Sequence, residues 1–375
     1  MKAILPPSML GILGGGQLGR MFAAAARTMG YRVTVLDPDP LAPAAAFADV
    51  HLCAPFDDAD ALTRMGQTCA AITTEFENVD AESMRHLARL TRVAPSGDCV
   101  AIAQDRLTEK RWINQAGLPT AAWLAVTAAS DLAADLSPYL PGILKTARLG
   151  YDGKGQARVR TAEEARAAFA DLGGQACVLE KMLALKLEVS AIVARTSQAQ
   201  AAVFPIAENS HKDGILDISL VPARIAPTLA DSARDMARRL ADALDYVGVM
   251  AVEFFVLEDD SLVVNEIAPR PHNSGHYTLD ACVTDQFQQQ VRTLCGLLPG
   301  KPDLLSPVAM VNLLGDLWPQ DGTPNWDVLM EAPNAHLHLY GKAEARPGRK
   351  MGHFNVLNVS ADEALAQAQA LYDTL

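Results

Sequence analysis

The apolar positions of the first hundred residues follow two alternating patterns. Short apolar runs such as MLGILG and YRVTVLD predict strands, whereas LGRMFAAAARTMG predicts a helix that ends at Gly30. Further strands and helices alternate up to a short strand, RVAPS. Strands that alternate with helices predict a parallel sheet, so this part of the chain should be a doubly wound α/β domain.

The pattern changes near residue 100. The stretch CVAIAQDRLTEKRWINQAG predicts one long helix that ends at Gly117. Strands and one helix follow to about residue 195, and then come a long helix, LADSARDMARRLADAL, and a hairpin. The final segment, from residue 296 onward, predicts a small β-rich unit with a terminal helix.

The composition narrows the class of protein. The 375 residues are 50% hydrophobic and 20% charged, which allows large cores. The formal net charge of −12 argues against non-specific binding to nucleic acid, and no run approaches the roughly 18 apolar residues of a membrane span. We therefore expect no nucleic-acid or membrane partner. The six cysteines are scattered without metal-ligand spacing, which is typical of reduced thiols in a cytoplasmic protein.

The loop GILGGGQLGR contains Gly14, Gly16 and Gly19 in the spacing of a dinucleotide-binding motif. A predicted strand precedes the loop, a predicted helix follows it, and Asp37 ends the next strand, as that motif requires. An NAD-dependent oxidoreductase is therefore one interpretation. The N-terminus of a helix attracts any phosphate, however, so the loop alone does not identify its ligand.

The stretch GVMAVEFFVLEDDSLVVNEIAPR predicts a β-hairpin. If its turn is centred between Asp259 and Asp260, Glu253 lies directly opposite Glu266. Because two facing carboxylates repel each other, a divalent cation between them is one explanation, and an exposed pair in a different register is the other. Mg²⁺ takes one or two protein carboxylates and completes its shell with phosphate oxygens and water. The hairpin therefore suggests a nucleotide–Mg²⁺ site.

A second glycine-rich loop, KTARLGYDGKGQ, spans residues 145–156. Gly150, Gly153 and Gly155 would let its backbone close over an anion, with Lys154 at the tip, and Lys145 ends a predicted strand. The loop is not a Walker A motif, because the chain contains no GxxxxGK[ST] pattern. A β-turn with an exposed lysine is the alternative.

Two further segments carry candidate anion ligands. The two histidines of APRPHNSGH have the spacing of zinc ligands on a helix, but the proline and the glycine of this segment disfavour a helix. A loop that presents Arg270 and Asn273 to an anion is favoured instead. The segment YGKAEARPGRKMGH clusters four basic residues, either as a solvated basic loop or as a pocket for a substrate phosphate: Lys342, Arg346, Arg349 and Lys350.

Together these segments resemble the ATP-grasp ligases and, within them, the N5-carboxyaminoimidazole ribonucleotide synthetase family, which is the ATPase-subunit type of phosphoribosylaminoimidazole carboxylase. The resemblance rests on seven segments, in this order along nearly the whole chain: GGGQLGRM, TTEFENV, QDR, KTARLGYDGKGQ, EKML, NEIAPRPHNSGH and YGKAEARPGRKMGH. Ala147 and Leu149 depart from the usual pattern of the family.

The resemblance implies an α/β protein with an ATP-grasp fold in three parts. A Rossmann-like pre-ATP-grasp domain would cover residues 1–98, and the ATP-grasp domain would cover 99–295, with a lid subdomain at about 115–185. A small β-rich C-terminal domain over 296–375 would complete the cleft.

The same resemblance implies the site residues. The residues that would bind ATP are Arg106, Lys145, Gly150, Tyr151, Asp152, Gly153, Lys154, Gly155, Gln156, Glu180, Lys181, Met182, Leu183, Glu188, His211, Asn265 and Glu266. The metal ligands would be Glu253 and Glu266. The residues that would bind the substrate are Gly16, Gln17, Leu18, Glu75, Asn273, Lys342 and Arg349. Asp152, Lys154 and Arg270 would be catalytic.

The family reaction would use ATP to carboxylate 5-aminoimidazole ribonucleotide with bicarbonate, through carboxyphosphate, in de novo purine (IMP) biosynthesis. ATP and Mg²⁺ would be the cofactors, with Mn²⁺ as a substitute, and a cytoplasmic homodimer would pass its product to a mutase. The alternatives are another ATP-grasp ligase, such as formate-dependent glycinamide ribonucleotide transformylase, an NAD-dependent oxidoreductase, and a non-enzymatic nucleotide-binding regulator.

Overall fold

The computed structural model describes residues 2–149 and 155–375. Within these ranges the strands form three sheets. The strands are β1 (Met9–Leu13), β2 (Arg32–Leu36), β3 (Val50–Leu52), β4 (Ala71–Thr74), β5 (Arg92–Val93), β6 (Trp123–Val126), β7 (Gly142–Thr146), β8 (Gln156–Val159), β9 (Cys177–Lys181), β10 (Leu185–Arg195), β11 (Ala201–Val203), β12 (Ala207–Lys212), β13 (Ile215–Val221), β14 (Gly248–Leu257), β15 (Leu262–Ala268), β16 (Val308–Leu314), β17 (Ala335–Leu339) and β18 (Lys350–Leu357). The α-helices are α1 (Gln17–Thr28), α2 (Ala59–Thr68), α3 (Ala81–Ala88), α4 (Gly97–Ala103), α5 (Arg106–Gln115), α6 (Ala162–Asp171), α7 (Pro227–Ala243), α8 (Thr278–Ala281), α9 (Gln286–Leu294), α10 (Asp327–Glu331) and α11 (Ala361–Tyr372).

The N-terminal sheet has the strand order β3-β2-β1-β4-β5, and all its strands are parallel. This confirms the doubly wound α/β prediction. Helix α1 ends just before Gly30, whose φ of +85° suits glycine best. Phe287 and Val291 of α9 pack into the same core as Phe22 of α1, so a segment far along the chain covers one face of this sheet.

The prediction of one long helix up to Gly117 is wrong. The chain forms α4 and α5 instead, because Asp105 between them is extended (φ −131°) and its side chain caps the second helix, accepting hydrogen bonds from the backbone N–H groups of Leu107 and Thr108, both at 3.0 Å. The break places Arg106 in the first turn of α5, where its own backbone N–H donates to Ala147 O at 2.9 Å.

The four-stranded sheet has the order β6-β9-β7-β8 and is antiparallel throughout. Its apolar face packs under α6, with Leu144, Leu179 and Phe169 buried between them. This sheet and α6 occupy the part of the chain for which the resemblance implies a lid.

The nine-stranded sheet has the order β15-β14-β10-β12-β13-β16-β18-β17, with β11 beside β10, and all its neighbouring strands are antiparallel. The C-terminal strands β16, β18 and β17 continue this sheet through the pairing of Leu220 with Ala309. Helix α11 covers them through Ala364 and Ala368. The strands of the predicted C-terminal unit over 296–375 thus belong to the nine-stranded sheet. The boundaries of this unit as a separate domain stay a prediction.

Two sequence expectations concern the whole chain. Every helix within the described ranges is too short or too polar to cross a membrane. All six cysteines lie in those ranges, and none of them forms a disulfide.

Candidate active site

A cleft of about 780 Å³ lies where the three sheets meet, a volume in the range of about 300–1,000 Å³ that is usual for small-molecule sites. The N-terminal domain, the four-stranded sheet and the nine-stranded sheet all contribute to its wall. The cleft brings together the predicted site residues Gly16, Gln17, Leu18, Glu75, Arg106, Lys145, Gln156, Glu188, His211, Glu253, Asn265, Glu266, Arg270 and Asn273.

The carboxylate pair of the hairpin is formed as predicted, since Glu253 pairs with Glu266 across β14 and β15. The turn itself differs from the prediction: Val256 pairs with Leu262, which centres the turn on Asp259. A β-bulge at Asn265 then shifts the register by one residue, and this shift brings the two glutamates opposite each other.

The two glutamates have different electrostatic surroundings. Burial and the nearby charge of Glu266 raise the pKa of Glu253 to about 7. Burial would also raise the pKa of Glu266, but Arg106, whose Nη1 donates to Glu266 Oε2 at 2.8 Å, holds that pKa below its usual range. A cation between the two groups would relieve their repulsion.

The residues present fit Mg²⁺ together with a nucleotide. The described part of the chain contains no group of three or more His, Cys, Asp or Glu side chains suited to a metal. The pair therefore supplies two carboxylate ligands, and phosphate oxygens and water would complete the octahedral shell.

Glu180 lies beside this pair but contacts two lysines. Its carboxylate oxygens are each 3.3 Å from one ammonium group, Oε1 from Lys110 Nζ and Oε2 from Lys145 Nζ. Glu180 and Lys110 are 4% and 1% exposed, respectively. Leu183, also predicted to bind ATP, lies beyond the end of β9 at Lys181.

The remaining ATP candidates of β9 and β10 take separate positions. The Lys181 ammonium donates to Leu140 O, and Met182 is 41% exposed just beyond β9. Glu188 on β10 and His211 on β12 line the cleft and lie 3.1 Å apart, Oε2 to Nδ1. Burial opposes the charged form of His211, but the hydrogen bond to Glu188 raises its pKa.

The glycine loop holds two carboxylates of the chain itself. Gly15 N donates to Asp37 Oδ2 at 2.7 Å, Gly19 N donates to Glu75 Oε2 at 2.7 Å, and Gly16 N donates to the other oxygen of Glu75. In a dinucleotide-binding site these amides would bind the pyrophosphate. Because they donate to Asp37 and Glu75 instead, the arrangement argues against the NAD interpretation. A Cβ at Gly19 would lie 2.5 Å from Gly14 O, so this close approach requires glycine.

Arg270 lies partly buried in the cleft beside the N-terminal domain. Its Nε donates to Glu77 Oε2, and its Nη1 is 3.2 Å from Pro271 O. Asn273 lines the cleft as well, and its amide forms a reciprocal pair with that of Asn312, with N–O distances of 3.0 and 2.7 Å.

The basic loop is partly buried. Lys342 Nζ donates to Lys350 O at 2.7 Å and lies 5.6 Å from the centre of the Tyr340 ring. Burial, and next the charge of Arg349, lower the pKa of Lys342 to about 8. Arg349 Nη1 donates to Glu344 O at 2.9 Å. Lys350 lines the cleft, whereas Lys342 and Arg349 are not among its described lining residues.

Five predicted site residues lie outside the described residues: Gly150, Tyr151, Asp152, Gly153 and Lys154. The neighbouring Gly155 has a φ of +71°, and its carbonyl accepts from Thr146 N at 2.8 Å. Gln156 pairs with Lys145 across β7 and β8.

Three polar residues of the cleft were not assigned to the site from the sequence: Glu77 was not singled out, His272 was considered only as a zinc ligand, and Lys350 only as part of the basic cluster. His272 Nε2 lies 3.3 Å from Glu253 Oε1, and burial, together with the charge of Arg270, holds its pKa well below the usual range. Each of the three stands inside a segment that was quoted, in TTEFENV, APRPHNSGH and YGKAEARPGRKMGH. Their proximity to Arg270 and Glu253 indicates a role in the site. This proximity cannot be read from any one segment, because it arises only when the separate segments fold together.

Three family models match the chain in the order in which its domains follow. The ribonucleotide synthetase preATP-grasp domain matches residues 8–104, the ATP-grasp domain matches 111–287, and the phosphoribosylaminoimidazole carboxylase C-terminal domain matches 308–367.

Similar proteins cover nearly the full chain. The N5-carboxyaminoimidazole ribonucleotide synthase of Bacillus subtilis is 43% identical over 366 residues, which are 96% of this chain and 94% of that protein. The enzyme of the same name from Brucella melitensis is 45% identical over 354 residues, with 94% and 96% covered.

Solved structures agree with these relatives. An ADP complex of N5-carboxyaminoimidazole ribonucleotide synthetase is 41% identical and superposes with a TM-score of 0.92, covering 99% of this chain and 98% of the other. The Aspergillus clavatus enzyme, in complex with ADP and 5-aminoimidazole ribonucleotide, is 31% identical with a TM-score of 0.88, and 98% of each chain is covered. The chain therefore belongs to the N5-carboxyaminoimidazole ribonucleotide synthase family of ATP-grasp ligases.

Proposed function

We propose that the chain uses ATP to carboxylate 5-aminoimidazole ribonucleotide with bicarbonate, giving N5-carboxyaminoimidazole ribonucleotide, ADP and phosphate in purine biosynthesis. The observation that carries the proposal is the placement of the Glu253–Glu266 pair, Lys145 and Arg270 in one cleft. A nucleotide–cation site and an anion-binding arginine thereby face the same reaction space.

On the ATP side, the chain supplies positive charge near the expected phosphates. Arg106 forms an ion pair with Glu266 of the carboxylate pair, and Lys145, which also lines the cleft, forms one with the buried Glu180. Transfer of the γ-phosphoryl group to a bicarbonate oxygen spreads negative charge over the phosphate oxygens, and these cations would stabilise it. When bound, Mg²⁺ would supply further neutralisation of the phosphates from Glu253 and Glu266.

On the bicarbonate side, Arg270 is held in position. Glu77 accepts from Nε and Pro271 O accepts from Nη1, so Nη2 is the nitrogen that would donate to a planar oxyanion. Arg270 would bind bicarbonate and then the short-lived carboxyphosphate. Asp152 and Lys154 complete the proposed catalytic set, with Asp152 accepting a proton from the exocyclic amine as the carbon–nitrogen bond forms.

On the ribonucleotide side, Lys342 and Arg349 would bind the 5′-phosphate, with Gln17 and Glu75 lining the same pocket. The charge of the basic loop supports this role. Because Glu75 occupies the amides of Gly16 and Gly19, it also keeps the substrate phosphate away from the N-terminus of α1.

The pH dependence of substrate capture tests the role of Lys342. With a pKa of about 8, Lys342 is charged below that pH and neutral above it. The kcat/KM for 5-aminoimidazole ribonucleotide should therefore fall above about pH 8, approaching tenfold per pH unit. The Lys342→Arg variant, whose guanidinium stays charged, should lack this fall. An identical pH profile in both proteins contradicts the assignment.

The proposed reaction is tested by ADP release. With ATP, Mg²⁺ and bicarbonate, ADP should form rapidly only when 5-aminoimidazole ribonucleotide is present. Formate with glycinamide ribonucleotide should not replace that pair, and NAD(H) should change nothing. ADP release that is independent of aminoimidazole ribonucleotide, or that depends on formate, would overturn the proposal.

Further features are proposed from the resemblance. They are the use of Mn²⁺ in place of Mg²⁺, a homodimeric assembly, transfer of the product to a mutase, and a cytoplasmic location. The free thiols of the six cysteines support the last of these.

A further inference from the structure

Four polar side chains beside the carboxylate pair form a hydrogen-bonded chain that ends on His272. We name it the polar relay; in order it contains Ser219, Asn209, Ser190, Ser274 and His272. The two outer serines are fully buried, and Ser190 and Asn209 are 1% and 7% exposed. Buried polar groups persist in a core when all of them are satisfied, and here each satisfies the next.

The register of the nine-stranded sheet places the first members of the relay. Ser190 on β10 pairs directly with Glu253 on β14, and Asn209 on β12 pairs with Ser219 on β13. Residues that pair directly across antiparallel strands point to the same face, so the relay and the carboxylate pair share one face of the sheet. The loop after β15 then brings Ser274 and His272 onto this face.

The direction of the relay follows from the orientation of the Asn209 amide, whose oxygen faces Ser219 and whose nitrogen faces Ser190. Ser219 Oγ donates to Asn209 Oδ1 at 2.7 Å, which orients the amide so that Nδ2 donates to Ser190 Oγ at 2.9 Å. Ser190 donates its single proton to Ser274 Oγ at 2.8 Å. Because the Ser274 hydroxyl accepts from Ser190, it donates its own proton to His272 Nδ1, which is 2.9 Å away.

This direction selects one tautomer of His272. Nδ1 accepts the Ser274 hydroxyl and also faces the Ser274 backbone N–H at 3.3 Å, so it carries no proton. The proton is therefore on Nε2, which lies 3.3 Å from Glu253 Oε1. In this tautomer the imidazole donates to the carboxylate, whereas the other tautomer would present a lone pair to it.

We propose that Asn209, Ser190 and Ser274 are positioning residues, which set the tautomer of His272 so that it orients Glu253 within the carboxylate pair. The proposal relies on the proposed function only for the role of Glu253 as a metal ligand. Groups that orient metal ligands typically contribute about 10–100-fold to metal affinity.

The substitution Asn209→Asp tests the direction of the relay. A carboxylate at this position accepts from both Ser219 and Ser190, so Ser190 accepts from Ser274, and Ser274 accepts from His272 Nδ1–H. The relay reverses, and Nε2 turns a lone pair toward Glu253. The substitution Ser274→Ala removes one link without adding charge. Ser83→Ala is the matched control, because Ser83 is a buried serine bonded to Asp80 on α3, remote from the relay.

Two measurements report the outcome. Imidazole ¹⁵N shifts of protein labelled with ¹⁵N-histidine give the tautomer, with the His272 signals assigned from His272→Gln. Electron paramagnetic resonance titration gives the affinity for Mn²⁺ in the presence of ADP. We expect Nε2–H in the unsubstituted protein and in Ser83→Ala, and Nδ1–H in Asn209→Asp, with Mn²⁺ binding weakened by about tenfold. Ser274→Ala should show a mixture of tautomers and a smaller loss.

The results separate the proposal from its rivals. By charge alone, an added carboxylate would strengthen Mn²⁺ binding, so a weakening in Asn209→Asp identifies the tautomer as the cause. Nδ1–H in the unsubstituted protein, an unchanged tautomer in both variants, or a reversed tautomer with Mn²⁺ affinity undiminished would overturn the proposal. If instead Glu253→Gln leaves Mn²⁺ affinity unchanged, the metal site of the proposed function fails, and the tautomers still decide whether the relay exists.

Discussion

Replacing Glu266 by glutamine is expected to lower ATP hydrolysis that depends on 5-aminoimidazole ribonucleotide by about 10²–10³-fold. The substitution removes one negative charge from the carboxylate pair but keeps the size of the side chain and an oxygen that can accept from Arg106. The fold should therefore persist, while the pair loses its attraction for a divalent cation. Steady-state ADP release and circular dichroism measure the two effects.

The matched control lies on the same hairpin. Glu258 is exposed near the turn, between β14 and β15 and away from the cleft wall, so Glu258→Gln makes the same chemical change without touching the pair. Its turnover should equal that of the unsubstituted protein. Near-normal turnover of Glu266→Gln at ordinary Mg²⁺ concentrations would remove Glu266 from the metal site.

Replacing Glu180 by glutamine is expected to lower the free energy of unfolding by about 3–5 kcal/mol. Glu180 lies buried between the ammonium groups of Lys110 and Lys145, each 3.3 Å from one of its oxygens. Without the carboxylate, Lys110 retains only Asn265 O, at 3.4 Å, among its described contacts. An uncompensated charge inside a protein is strongly unfavourable, which is the physical reason for the loss. Urea unfolding followed by tryptophan fluorescence measures it.

The same substitution carries a prediction for pH. Burial would raise the pKa of Glu180, but Lys145 and Lys110 hold it below its usual value. The stabilisation by the carboxylate is therefore present above its unfolded pKa of about 4.3 and is lost as the pH falls through the lower folded pKa. The difference between the unsubstituted protein and Glu180→Gln should shrink on acidification.

An exposed ion pair provides the comparison. Lys186 and Asp260 form a salt bridge whose side chains are 47% and 63% exposed. Asp260→Asn should change the free energy of unfolding by less than about 1 kcal/mol, and asparagine tolerates the φ of 60° at this position. If Glu180→Gln and Asp260→Asn lowered the free energy of unfolding equally, burial would not be the reason for the large effect expected at Glu180.

The carboxylate pair was predictable because its cause is local. A hairpin joins residues that are close along the chain, so the alternation of side chains and the turn already place Glu253 near Glu266. The predicted centre of the turn, between Asp259 and Asp260, differs from the observed centre at Asp259. The bulge at Asn265 compensates for this difference, so the two glutamates still pair. The parallel N-terminal sheet was predictable for the same reason, since each strand and helix has its own apolar period.

Other features depend on contacts between distant segments. The break between α4 and α5 was not predicted, because the sequence pattern is helical on both sides of it. The capping residue Asp105 was the available signal for the break. The glycine loop has the spacing of a dinucleotide site, yet Glu75 comes from another strand and occupies two of its amides. Glu180 was assigned to the nucleotide, whereas α5 and β7 bring two lysines to its carboxylate.

The sequence alone was sufficient for the fold class, the carboxylate pair and the family, because these depend on short-range periodicity and on motifs that keep their order along the chain. The tertiary structure decided which carboxylate binds which cation, which amides remain for a ligand, and which tautomer His272 adopts. Those outcomes depend on distances of about 3 Å between groups from different sheets and loops. Electrostatic and hydrogen-bonding energies vary steeply over such distances, whereas the spacing of residues along the chain does not specify them.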